Sequence, residues 1–169
     1  TVTLGGLQQT YDGSAKAATA TSVPTGLSVA LTYGGSAAAP VNAGSYTVLA
    51  TVNDANYTGS ADGTLVISKA PATVTLGGLQ QTYDGSAKAA TATSVPSGLN
   101  VVLSYDGSTN RPVNAGSYVV LATVSDANYT GSANGTLVIS KATATVALGG
   151  LQQTYDGSAK AATATRVPS

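Results

Sequence analysis

Few side chains in this chain can do chemistry, and most of them stand in short groups that recur. The run Asp54-Ala55-Asn56-Tyr57-Thr58-Gly59-Ser60-Ala61-Asp62 spaces oxygen-bearing side chains as the front of a calcium loop does, so Asp54, Asn56 and Asp62 are candidate calcium ligands. The acid that closes such a loop is missing. Leu65 stands where a bidentate Glu belongs, and Asn134 replaces Asp62 in the second copy of the run. The competing expectation is a surface turn capped by Asx side chains. Lys16 and Lys69 raise a second chemistry, an intramolecular isopeptide bond to Asn42, Asn53 or Asn56. That reaction needs a desolvated amine beside an acid, and Lys16 lies in a polar Ala/Thr stretch of a chain without Glu. A third candidate is a recognition loop. Gly34-Gly35-Ser36-Ala37-Ala38-Ala39 becomes Asp106-Gly107-Ser108-Thr109-Asn110-Arg111, which makes Asp106, Thr109, Asn110 and Arg111 candidate ligand-loop residues, although no aromatic platform for a sugar accompanies them.

Three smaller patterns have plainer readings. Asn56-Tyr57-Thr58 and Asn128-Tyr129-Thr130 fit a glycosylation sequon, a short pattern expected by chance in a Thr-rich chain. Tyr57 and Tyr129 precede a strand and are placed to brace a loop through the hydroxyl, as a tyrosine corner does. Tyr is also the only aromatic residue type present, so all four tyrosines of a repeat are expected in the core with a wet or bonded tip. A Ser–Lys catalytic pair has nothing behind it beyond the presence of both residue types.

Composition excludes most other activities. The 169 residues include no Cys, His, Met, Trp or Phe, and seven basic residues balance seven acidic ones. Acid–base, thiol and metal chemistry lose most of their usual groups, so no enzyme activity and no cofactor are expected. Zero net charge gives no electrostatic footprint for nucleic acid or anionic lipid. No apolar run approaches the roughly 18 residues of a membrane span.

The elements that carry these groups repeat. TVTLGGLQQTYDGSAKAATAT begins at Thr1 and Thr73, and returns at Thr145 with Ala147 in the place of Thr3, a constant spacing of 72 residues. The expected organisation is residues 1–72, residues 73–144 and a partial third repeat over 145–169, excerpted from a longer array. Alternation within each copy argues strand. In Leu27-Ser28-Val29-Ala30-Leu31-Thr32-Tyr33 every odd position is large and apolar, and the second copy, Leu99 to Tyr105, differs only on the even face. Tyr46, Val48, Ala50 and Val52 mark a second strand, Leu65 and Ile67 a third, and Val2 with Leu4 a fourth. The Ala-rich Ser14–Ser22 reads as strand rather than short helix, for want of a large apolar stripe. Arg166 in place of Ser22 puts that position in solvent and turns Val23 inward. Turns are expected at Asp12-Gly13, Thr25-Gly26, Gly34-Gly35, Ala43-Gly44 and Asp62-Gly63. Together these elements predict an all-β fold: tandem small β-sandwich, immunoglobulin-like repeats of short strands. Almost no linker separates Ile67 from Thr73, which predicts a semi-rigid rod with an axial repeat of roughly 30–40 Å.

Tyr-Asp-Gly-Ser-Ala-Lys-Ala-Ala-Thr-Ala-Thr, Pro-x-Gly-Leu, Pro-Val-Asn-Ala-Gly-Ser-Tyr, Asp-Ala-Asn-Tyr-x-Gly-Ser-Ala and Gly-Thr-Leu-Val-Ile-Ser-Lys-Ala follow one another in order. In combination they resemble the MBG-type repeat of large bacterial surface proteins. The resemblance covers both complete copies and the fragment. It implies an exported, tandemly arrayed module of adhesin-like or matrix proteins, without catalytic residues to transfer. The expected function is a non-catalytic structural repeat of an extracellular fibre, stalk or matrix at the bacterial cell surface. Its expected partner is itself, because a neutral surface with few charges at its strand edges favours self-association. The alternative is an adhesin domain that recognises glycan or a host surface protein through its inter-strand loops. The fragment from Thr145 onward is expected either to complete the preceding sheet or to act as a donated strand.

Overall fold

A computed structural model describes residues 1–168, and every regular element in it is a strand. The first repeat is built from β1 (Val2–Gly5), β2 (Gln8–Thr10), β3 (Thr19–Ser22), β4 (Val29–Tyr33), β5 (Gly44–Val52) and β6 (Ser60–Ser68). A two-stranded sheet, β1 with β3, faces a four-stranded sheet of order β2-β6-β5-β4. The chain changes sheets between β1 and β2, where Gly6 takes a φ of 65° that a residue with a Cβ adopts only at a cost. β2 then runs parallel to β6 (Gln8↔Val66), while β5 pairs antiparallel with β4 and β6. This is a small sandwich of the immunoglobulin type, with the alternating core that the sequence predicts.

Side chains from both sheets meet in that core. Val48, Leu65 and Ile67 are buried to 2% exposure or less and pack with Ala18 and Tyr33. Each large aliphatic side chain so enclosed contributes about 1.5–3 kcal/mol. Tyr33 fills the centre and its hydroxyl accepts the buried Ala18 N–H at 2.9 Å. That bond fixes the approach to β3, so Ser14–Ala18 is irregular chain and only Thr19–Ser22 is strand. Opposed residues of an antiparallel pair share a face. The register Val2↔Ser22 and Leu4↔Ala20 therefore turns Ser22 inward, at 8% exposure, and leaves Val23 outside at 69%. The orientation expected from Arg166 is thus reversed. Ser22 is accommodated because its hydroxyl donates to the Pro24 carbonyl at 2.8 Å. Asp62-Gly63 is not a turn either, since β6 runs straight through it. A Cβ on Gly63 would stand 3.1 Å from Leu4 Cδ1 and 3.2 Å from Leu7 Cδ1, so glycine there lets two leucines lie on the strand.

The connection to the second repeat is β7 (Ala70–Pro71), followed by β8 (Thr73–Gly77), β9 (Gln80–Thr82), β10 (Thr91–Val95), β11 (Val101–Tyr105), β12 (Gly116–Val124), β13 (Tyr129–Thr130) and β14 (Ser132–Ser140). The sheets repeat the first pattern, β10 with β8 and β11-β12-β14-β9. β15 (Ala144–Gly149) and β16 (Thr163–Pro168) form a two-stranded antiparallel sheet of their own. Among the described residues the third fragment therefore does not extend the sheet of the repeat before it. By packing, the chain divides into two compact units. One gathers Thr1–Thr75, Ala92–Leu103 and Ala122–Ala133, and the other Leu76–Thr91, Ser104–Leu121 and the chain from Asn134 onward.

Candidate repeat-junction interface

Asp-Ala-Asn-Tyr-Thr-Gly occurs twice, as Asp54–Gly59 between β5 and β6 and as Asp126–Gly131 between β12 and β14. Both copies close as an Asx turn. Asp126 Oδ1 accepts the N–H groups of Asn128 and Tyr129 at 2.8 and 2.9 Å, and Asp54 Oδ1 accepts those of Asn56 and Tyr57 at 2.8 and 3.1 Å. The local sequence thus fixes the loop before any partner arrives.

The second loop is docked on the first repeat. β13 pairs in parallel with β7, Tyr129 opposite Ala70 and Thr130 opposite Pro71. The Ala70 and Ala72 N–H groups donate to the Asn128 and Thr130 carbonyls at 2.8 and 2.7 Å. Asn128 adds its side chain: Oδ1 accepts the Ala43 N–H at 2.9 Å and Nδ2 donates to Asn42 Oδ1 at 3.2 Å. Lys69 Nζ donates to the Asp126 carbonyl at 2.6 Å. The rings of Tyr11 and Tyr129 meet edge to face, 5.4 Å apart at 82°, a geometry in which ring edge and face attract.

Burial follows docking. Tyr57 of the first loop is 50% exposed, whereas Tyr129 is half-buried. On the receiving side Ala70 is buried and its counterpart Ala142 exposed, while the tyrosines of the three copies run from half-buried Tyr11 through Tyr83 at 39% to Tyr155 at 89%. Glycine is obligatory where the chains come closest, since a Cβ on Gly131 would lie 2.1 Å from the Ala72 carbonyl oxygen. The same atom on Gly59 would meet only Val2 and Val52 methyls at 3.5 Å.

A charged clasp supports the Tyr11 side. Lys16 Nζ pairs with Asp12 Oδ2, and Ser14 donates to Asp12 Oδ1 through Oγ and N–H at 2.5 and 2.9 Å. Led by the lysine bond and then the serine bonds, this holds the Asp12 carboxyl well below the ordinary carboxylate range. Asp84 with Lys88 behaves alike, and Asp156 with Lys160 is pushed down to about 2. Lys16 is therefore paired with an aspartate and Lys69 with a carbonyl, rather than with Asn42, Asn53 or Asn56.

The other candidates lie elsewhere. Asp54 and Asn56 share the first loop, with the Asp54 carboxylate occupied by the turn, while Asp62 is in β6 opposite Leu49. No group of three or more His, Cys, Asp or Glu side chains gathers among the described residues. Asp106 occupies the β11–β12 turn at φ 49°; its N–H donates to the Val119 carbonyl and its Oδ1 accepts the Val119 N–H, both at 2.8 Å. Ser108 Oγ accepts the Asn110 N–H at 3.1 Å, and Thr109, Asn110 and Arg111 are exposed at the tip. The hydroxyl brace expected of Tyr57 and Tyr129 belongs instead to Tyr46 and Tyr118, which donate to the carbonyls of Asn42 and Asn114 four residues upstream at 2.9 Å. The docking residues Asn128, Gly131, Lys69 and Asn42 are not singled out as an interface by sequence. The available signal was a hexapeptide unchanged between copies and ending in glycine immediately before a strand.

No curated protein matches the chain. The MBG domain family profile matches it three times, over residues 1–71, 72–143 and 144–169. With the profile spanning the chain in three successive matches, the protein belongs to the MBG domain family.

Proposed function

We propose that this chain is a non-catalytic structural segment of an extracellular array, a fibre, stalk or matrix of a bacterial surface, whose repeats are locked to one another loop to edge. The docked Asp126–Gly131 loop carries the reading. Two beads on a flexible string have no use for a glycine whose Cβ would strike the neighbouring repeat, or for a parallel bridge at the linker. Stability then couples through nearest neighbours, as in other linear repeat proteins. Immunogold labelling of producing cells, with electron microscopy of the purified polymer, tests the assignment. Surface label and unbroken filaments support it, and intracellular label or isolated beads overturn it.

The exposed Thr109–Arg111 tip on a pinned turn supports a second reading, an adhesin contact with glycan or protein. Binding on a glycan array that is lost when Gly34–Ala39 replaces Asp106–Arg111 would establish it.

A further inference from the structure

Strand β4 lies at the edge of its sheet. The Ser28 carbonyl accepts the Asn53 N–H at 2.8 Å and the Gly34 N–H donates to the Thr47 carbonyl at 2.9 Å. Even-numbered residues of this strand therefore turn their backbone groups to β5, and antiparallel alternation leaves those of Val29 and Leu31 facing away from it. Tyr33 does not share in this, because its N–H and carbonyl close the turn with Ser36. Natural edges are usually guarded by a charge, a proline or a bulge. Leu27–Tyr33 contains neither charge nor proline, and its register against β5 runs without interruption from Val29↔Val52 to Tyr33↔Val48. Beside the edge lies a groove of about 410 Å³, lined by Ala20, Ser22, Leu27, Val29 and Leu31. The second repeat reproduces the edge in β11, with Val101 and Leu103 in the outward positions and Val102, 44% exposed, between them.

We propose that these edges pair with a second copy of this chain, antiparallel about a two-fold axis at Ala30 or Val102. That register sets Val29 of one copy opposite Leu31 of the other and the reverse. Every outward N–H and carbonyl of the two strands is then used, in four hydrogen bonds. Leu27 falls opposite Tyr33, so the apolar face continues across the seam and covers the groove. A copy of the same strand suits the site because the pairing is self-complementary. No charge lies within either strand, and a chain of zero net charge offers little long-range repulsion. The inference deepens the structural-repeat reading and rests on it for the role of the contact, by naming the surface through which separate chains associate side by side.

Sedimentation velocity from about 10 µM to about 1 mM, the range in which exposed strand edges associate, tests it together with concentration-dependent amide exchange. The expected result is reversible association that passes beyond the dimer as both edges are used, with the Val29, Leu31, Val101 and Leu103 amides becoming protected. The double variant Ala30→Lys/Val102→Lys sets like charges face to face and weakens association about two- to fivefold at each edge, with an unchanged melting curve because both positions are exposed. A monomer throughout, association of undiminished strength in the double variant, or protection confined to other amides would overturn the proposal. None of these results bears on the Gly131 junction, whose own variants report on the array reading.

Discussion

Gly131 and Gly59 have the same neighbours in sequence and opposite demands in space, which makes them a matched pair. A methyl group at Gly131 meets a backbone carbonyl that cannot rotate away, so Gly131→Ala should cost about 1–3 kcal/mol, the usual range for overpacking. Gly59→Ala meets methyls at ordinary contact distance and should change stability little. Chemical denaturation of the two variants checks the difference, and faster amide exchange at Ala70 and Ala72, which bond to the docked loop, checks that the loss lies at the junction. The clasp makes a second prediction at this scale. Asp156 is held at about 2 against an ordinary 3.8. A carboxylate whose folded pKa is depressed stabilises above its ordinary value, and the contribution is lost as pH falls from 3.8 through the folded value. Carboxyl carbon shifts should therefore give Asp156 a midpoint near 2 that returns toward 3.8 in Lys160→Ala. The effect on overall stability should be small, because the pair is partly solvated.

At the scale of the element, strands whose alternation is set by the core were legible in sequence. Leu27–Tyr33, Tyr46–Val52 and Leu65–Ile67 fall on β4, β5 and β6 because their odd or even face is enclosed by the opposite sheet. Three features were not legible. Ser22 was read from Arg166, whose copy of the sheet has no partner over it, so that substitution carries no information about the buried face of the first repeat. Asp62-Gly63 looks like a turn, but two leucines require glycine within a strand there. The docking loop was legible as an Asx turn but not as an interface, because its partner groups, the Ala70 and Ala72 amides and Asn42, lie 58 to 86 positions away and are mostly backbone. The bond from Tyr33 to Ala18 makes a prediction for this scale. Tyr33→Phe keeps the ring and leaves a buried N–H without its acceptor, a loss of about 1–3 kcal/mol. Tyr105→Phe should cost the same, since its hydroxyl holds the Ala90 N–H at 3.0 Å. Equal shifts in denaturation midpoint would show that the irregular approach to β3 and β10 is held by tyrosine.

Across the described residues one sequence recurs in three copies, two beneath a four-stranded sheet and one not, and burial follows that difference rather than residue type. Val2 and Val74 are 8% exposed under their four-stranded sheets, whereas Val146 and Leu148 in the third copy are 63% and 64% exposed. The β15–β16 pair keeps the register of β1–β3, with Leu148↔Ala164 matching Leu4↔Ala20, yet among the described residues no four-stranded sheet covers it to supply the hydrophobic gain. A lone two-stranded hairpin is marginally stable in water, so the same amides should be guarded very differently along the chain. Exchange at Val146 and Leu148 should outpace that at Val2 and Leu4 by at least about a hundredfold, the difference expected between local opening and opening of a packed core. Truncation after Ala144 should leave the melting of the two complete repeats unchanged. Uniform exchange across all three copies would instead mean that each hairpin is held without its sheet, and the sandwich would then not be the folding unit.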